Sequence, residues 1–141
     1  MKKVDQIVFE KGKGDCLRAC LATILEFDIN EMPNFWERTQ NGEKFFNLVD
    51  NWLIKHFSLK LLTVRISEEE INSYTENVLC IAVGKSSRGV NHAVVWFDNE
   101  IFHDPHPSKS GLVSNIPDYF IFFIPTGLKN EINRRKLKRN S

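Results

Sequence analysis

Cys16, His92 and Asp104 are the residues of this chain whose types and order fit nucleophilic chemistry. A thiol needs a base to take its proton, and the base needs a partner to hold its ring. A cysteine followed downstream by a histidine and an acid supplies nucleophile, imidazole and orienting carboxylate for attack on a carbonyl carbon. Cys16 lies in the run Asp15-Cys16-Leu17-Arg18-Ala19-Cys20-Leu21-Ala22-Thr23-Ile24-Leu25. Ahead of it, Lys11-Gly12-Lys13-Gly14 reads as a polar, flexible approach without helical period. Asp15 is a good N-cap, its carboxylate suited to accept from the first free N–H groups. From Leu17 to Leu25 only Arg18 and Thr23 are clearly polar, and a helix apolar on nearly every side is a buried one. Cys16 is therefore expected at the N-terminus of a buried helix, where the partial positive charge favours thiolate over thiol. Cys20, one turn further in, reads as a small core residue.

The elements that must bring the base to this thiol lie in the second half. His92-Ala93-Val94-Val95-Trp96-Phe97 and Glu100-Ile101-Phe102-His103 read as two strands, and Asp98-Asn99 between them is a hairpin turn. Folding that hairpin sets His92 opposite Asp104-Pro105 or one residue off, and cross-strand neighbours lie about 5 Å apart at Cβ. The Asp104 carboxylate would then hold the His92 ring and choose its tautomer.

These residues resemble the papain-like cysteine peptidase superfamily, and most of all its bacteriocin-processing branch, which cleaves double-glycine leaders. Asp-Cys-x-x-Ala-Cys-Leu-Ala-x-Ile-Leu at 15–25 is similar to that branch's nucleophile helix, and His-Ala-Val-Val followed by Asp-Pro is similar to its second half. The resemblance spans roughly residues 6 to 125, with motif matches at 15–25 and 91–108. It implies Cys16 as nucleophile, His92 as base and Asp104 as third member. It also implies an upstream glutamine as side-chain donor to the oxyanion, beside the Cys16 backbone N–H; Gln6 is the only glutamine upstream. Gln6 stands further from the cysteine than is usual in that branch, and Leu17 stands where the leader-processing enzymes usually carry glycine.

Composition bounds the rest. A chain of 141 residues with 42% apolar and 11% aromatic residues can bury one core and is not a disordered sequence. Three cysteines without framework spacing fit reduced thiols and a cytoplasmic setting better than disulfides. Met1-Lys2-Lys3-Val4-Asp5 has no apolar stretch behind it, so no signal peptide is expected, and no apolar run is long enough to span a bilayer. No membrane partner is expected.

Around the proposed site, Gln6 to Glu10 reads as a short strand and Glu26 to Phe35 as a connection with a helical turn before Pro33. Glu43 to Phe57 carries an apolar stripe at helical spacing, Leu59 to Ile66 a strand, and Ser67-Glu68-Glu69-Glu70 a capping box for a helix to about Tyr74. Val78 to Val83 and Tyr119 to Ile124 read as further strands. Helices first and antiparallel strands later predict an α+β fold, and the resemblance implies a papain-like one, with a buried N-terminal nucleophile helix packed on an antiparallel sheet.

Two loops flank the chemistry. Gly84-Lys85-Ser86-Ser87-Arg88-Gly89 leads into Asn91-His92, and its Gly-Lys-Ser lacks the earlier glycine that a phosphate-binding loop needs. Ser86, Ser87 and Asn91 are candidate contacts to substrate backbone. His106, in the proline-stiffened segment Pro105 to Gly111, is a fourth candidate on the cleft rim. His103, His106 and the cysteines lack the spacing of a zinc site, so neither a metal nor a cofactor is called for. Residues 1–128 form the expected domain. Residues 129–141 carry six basic residues and one acidic residue; removing that net +5 from the whole-chain +1 leaves the body near −4. Such a segment reads as a solvated, disordered end, with an electrostatic hold on nucleic acid as the less favoured reading.

The expectation is a thiol hydrolase, a cysteine peptidase or isopeptidase or amidase, acting on a peptide or protein substrate through Cys16, His92 and Asp104. An acyl transferase of the same fold and a catalytically silent binding module are the alternatives.

Overall fold

The computed structural model describes residues 1–9, 15–39, 41–127 and 135. The glycine-rich approach at 11–14 and, Arg135 apart, the basic segment 129–141 lie outside the described residues. The architecture is α+β: helices in the first half pack on an antiparallel sheet built by the second.

Helix α1, Cys16–Leu25, buries Leu17 and the whole run from Ala19 to Thr23. Its one buried hydroxyl, that of Thr23, donates to the Ala19 carbonyl at 2.9 Å and accepts from the Val4 N–H at 3.0 Å. The helix stops at Glu26, which turns left-handed at φ 54°. The predicted helical turn before Pro33 is the 3₁₀ turn Ile29–Glu31. The short α2, Phe35–Thr39, packs on α3, Gly42–Phe57. Asn41 caps α3, accepting from the Glu43 and Lys44 amides. The apolar stripe of α3 turns Val49 and Leu53 into the core, with Phe45, Leu48 and Trp52 packed beside them.

The sheet runs β1-β5-β2-β3-β4, with every pairing antiparallel. Its strands are β1 Leu59–Val64, β2 Leu79–Lys85, β3 Asn91–Phe97, β4 Glu100–His103 and β5 Tyr119–Pro125. β2 and β3 are central and buried on both faces, which explains their unbroken apolar runs. One face places Ile81, Val83, Ala93, Val95 and Ile121 in the core shared with α1 and α3. The other packs Cys80, Ala82, Val94, Trp96 and Phe120 under Ile71 and Leu112. Among the described residues, no helix is long and apolar enough to cross a membrane.

Two local expectations are corrected. The predicted strand at Gln6–Glu10 is absent through Phe9, because the amides that would form a ladder go elsewhere: Gln6 N–H to the Pro105 carbonyl, Ile7 and Val8 N–H to the Asp15 carboxylate. The predicted capping box at Ser67 does not form. A 3₁₀ turn, Glu68–Glu70, precedes α4, Ile71–Thr75, and the Ser67 backbone carbonyl rather than its side chain closes it, accepting from Glu70 N–H at 2.9 Å.

Candidate active site

Cys16 is the first residue of α1, as the sequence predicts, and is half-buried, whereas Cys20 and Cys80 are wholly buried. Asp15 occupies the cap position but does not cap. Its Oδ2 accepts from the Ile7 and Val8 amides at 2.6 and 3.0 Å, and its Oδ1 lies 2.6 Å from Arg18 Nε, a charge contact rather than an aligned hydrogen bond. Two backbone amides and a guanidinium outcompete the local helix N–H groups for this carboxylate. The consequence is useful to the site. The first intrahelical bond runs from Ala19 N–H to the Asp15 carbonyl, so the Cys16 and Leu17 amides have no partner inside the helix or from its cap.

The hairpin folds as predicted, with Asp98 and Asn99 both left-handed at φ 51° and 67°, the backbone a tight hairpin turn requires. Its register is corrected, however. Trp96 pairs with Ile101 but Val95 pairs with His103, so Phe102 is an extra, unpaired residue. The paired ladder ends at Val95 and His103, short of both His92 and Asp104. Asp104 follows the last residue of β4, and its place beside His92 is shown by their hydrogen bond rather than by the ladder.

His92 Nε2 donates to Asp104 Oδ1 at 2.6 Å, with both residues buried. Asp104 also accepts from the His106 amide at 2.9 Å and the Gly111 amide at 2.8 Å. Burial raises the Asp104 carboxyl, but the hydrogen bonds from His92, His106 and Gly111 outweigh it and hold it at about 2. Burial likewise lowers His92, yet the Asp104 carboxylate, and after it the neighbouring Cys16 side chain, bring it to about 9. Asp104 and Cys16 thus both favour the protonated His92 ring, which shares the cleft with the Cys16 side chain. With Nε2 engaged by Asp104, Nδ1 is the nitrogen left to exchange a proton with sulfur. The other thiols differ: burial pushes Cys20 well above the ordinary range, with Cys16 and Asp104 adding to it, and pushes Cys80 to about 12.

A cleft of about 620 Å³ opens over Cys16 and His92. Gln6 lines it; its Nε2 donates to the Val8 carbonyl at 2.9 Å and carries a second hydrogen, while its Oε1 is buried without a partner among the described residues. Asn91 and His106 also line the cleft, and the His106 ring stands edge-on to His92 at 6.2 Å. Ser86 and Ser87 do not line it. Ser86 is buried in its own turn, where its amide and hydroxyl both donate to the Val90 carbonyl, and Ser87 bonds to Ser110.

Sequence reasoning missed two supports. Gly111 adopts φ 69°, and a Cβ there would meet Ile101 Cδ1 at 3.2 Å; the glycine is what lets its amide reach Asp104. Lys109 Nζ bridges the Asp104 carbonyl at 2.7 Å and Asp5 Oδ1 at 2.6 Å, tying the N-terminal segment to the acid's loop. A glycine closing a proline-flanked loop was the available signal for the first. For the second, nothing in the sequence marked a contact so distant along the chain. Among the described residues, no cluster of His, Cys, Asp and Glu is arranged to hold a metal ion.

No protein-family model, curated protein or solved structure matches this chain.

Proposed function

We propose that this protein is a papain-like thiol hydrolase that cleaves a peptide, isopeptide or related amide bond. The observation that carries the reading is the His92 imidazole, bonded to the buried Asp104 carboxylate and lining the same open cleft as Cys16 at the start of α1.

Each step follows from a named group. The imidazolium beside the sulfur stabilises negative charge there. The thiolate attacks the carbonyl carbon, a C–S bond forms, and the π electrons move to oxygen. The Cys16 N–H at the uncapped start of α1 and the second hydrogen of Gln6 Nε2 receive that oxyanion. His92 gives its proton to the nitrogen as the C–N bond breaks, and the amine departs. Neutral His92 then takes a proton from water, which attacks the thioester; the acid leaves and the thiolate–imidazolium pair returns. Asp104 stays ionised throughout and keeps the ring oriented.

Iodoacetamide at pH 6 should modify Cys16 about tenfold faster than Cys20 or Cys80, since the thiolate is the nucleophile and the other two are buried thiols. That modification should abolish cleavage of a pool of fluorogenic peptide amides, and His92→Ala should slow both. Equal, slow labelling of the three thiols, with no cleavage, would favour the silent binding module instead.

A further inference from the structure

The cleft is lined by both apolar and charged side chains. Trp36 from α2 and Phe45 and Phe46 from α3 contribute a cluster of aromatic rings in mutual contact, and Phe9, edge-on to His106, and Val90 add further apolar lining. Arg88 lines the same cleft from the loop between β2 and β3. Among the described residues that line it, the other cationic group, His92, is paired with Asp104, and the carboxylate of Asp15 faces Arg18. Arg88 has no carboxylate partner among the described residues. Its Nη1 is held by hydroxyls alone, donating to Ser108 Oγ at 3.0 Å and Ser110 Oγ at 3.1 Å.

Those hydroxyls fix where the guanidinium sits. Ser108 Oγ also bonds to His106 Nδ1 at 2.8 Å, and the His106 ring lies 6.2 Å from that of His92. Arg88 is therefore tied, through two side chains, to the rim beside the base. One edge of its fork is engaged by serine; Nη2 and Nε keep donors for a planar acceptor. Lys109, the nearby ammonium on this rim, is already engaged by Asp5 and the Asp104 carbonyl.

From this juxtaposition we infer that Arg88 is a specificity-determining residue: the cleft selects a substrate carrying a carboxylate, received by the Arg88 fork, together with a bulky apolar group, received by Trp36, Phe45 and Phe46. The substrate role rests on the hydrolase reading above. A carboxylate forms two parallel N–H···O bonds with a guanidinium, which a neutral amide cannot match. The carboxylate comes either from a chain terminus or from an acidic side chain.

The test is binding to the full chain, followed by NMR, with three probes: N-acetylphenylalanine, N-acetylglutamylphenylalanine amide and N-acetylphenylalanine amide. One of the two carboxylates should bind about fivefold tighter than the neutral amide, shifting the His106 ring and Trp36 indole signals. The tighter of the two identifies terminus or side chain as the source. Arg88→Gln should erase the preference, and Arg88→Lys should keep part of it. Equal binding of all three probes, or a preference that survives Arg88→Gln, would overturn the inference. Because the readout is binding, an unreactive Cys16 would count against the hydrolase reading without altering this result.

Discussion

His92 shows how opposing forces set a single residue. Burial alone would empty an imidazole of its proton at neutral pH, yet Asp104 and Cys16 bring it to about 9. The size of that reversal depends on one carboxylate that is itself fixed by two backbone amides, those of His106 and Gly111. NMR titration of the His92 ring should therefore find a midpoint near 9 in the wild type. In Asp104→Asn the burial remains and the opposing carboxylate is gone, so the midpoint should fall by at least two units. A midpoint that stays put would show that Asp104 does not govern the base. At this scale the sequence was informative about identity. Cys16, His92 and Asp104 are found together as their order suggested, because a helix start and a two-residue turn are written in local residue types. Ser86 and Ser87 were misjudged, since nothing in a Gly-Lys-Ser-Ser-Arg loop says which hydroxyls its own turn will consume.

Among the elements, α1 and the hairpin were legible and the devices that align them were not. Phe102 looks like any residue of an alternating strand, and only the observed register reveals it as a bulge one residue before the end of β4. Asp15 is a cap by type and position, but its carboxylate is taken by Ile7, Val8 and Arg18. The competition is between near and distant amides, and sequence spacing counts only the near ones. The N-terminal segment is thereby laid along the site, with Gln6 at the cleft and its backbone joined to Pro105. Asp15→Ala should release this segment and leave the Arg18 guanidinium without its counter-charge. A loss of about 3 kcal/mol is expected from stranding a largely buried charge, read as a lower midpoint in urea, with faster hydrogen exchange at Ile7 and Val8. Unchanged stability and exchange would mean that Asp15 is not the anchor.

For the whole molecule, the two shifted groups make stability depend on pH in a defined window. His92 is raised from 6.5 to about 9, so its contribution is complete below 6.5 and is lost as pH rises through 9. Asp104 is lowered from 3.8 to about 2, so its contribution is complete above 3.8 and is lost as pH falls through 2. The difference in Tm between wild type and Asp104→Asn should be greatest between about pH 4 and 6.5 and shrink above pH 9. A difference that is flat from pH 5 to 10 would contradict the ion pair. The α+β class was readable because helical stripes and apolar runs are segregated along the chain, while the strand order β1-β5-β2-β3-β4 depends on long-range pairing that no local pattern encodes. The central claim is that Cys16 forms and releases an acyl-enzyme, and pre-steady-state release of p-nitrophenol from p-nitrophenyl hexanoate tests it most directly. The account predicts a burst of one equivalent per chain, a matching hexanoyl adduct on Cys16 by mass spectrometry that decays with turnover, and no burst in Cys16→Ala. A folded wild-type chain that gives no burst and no adduct on Cys16 would contradict it.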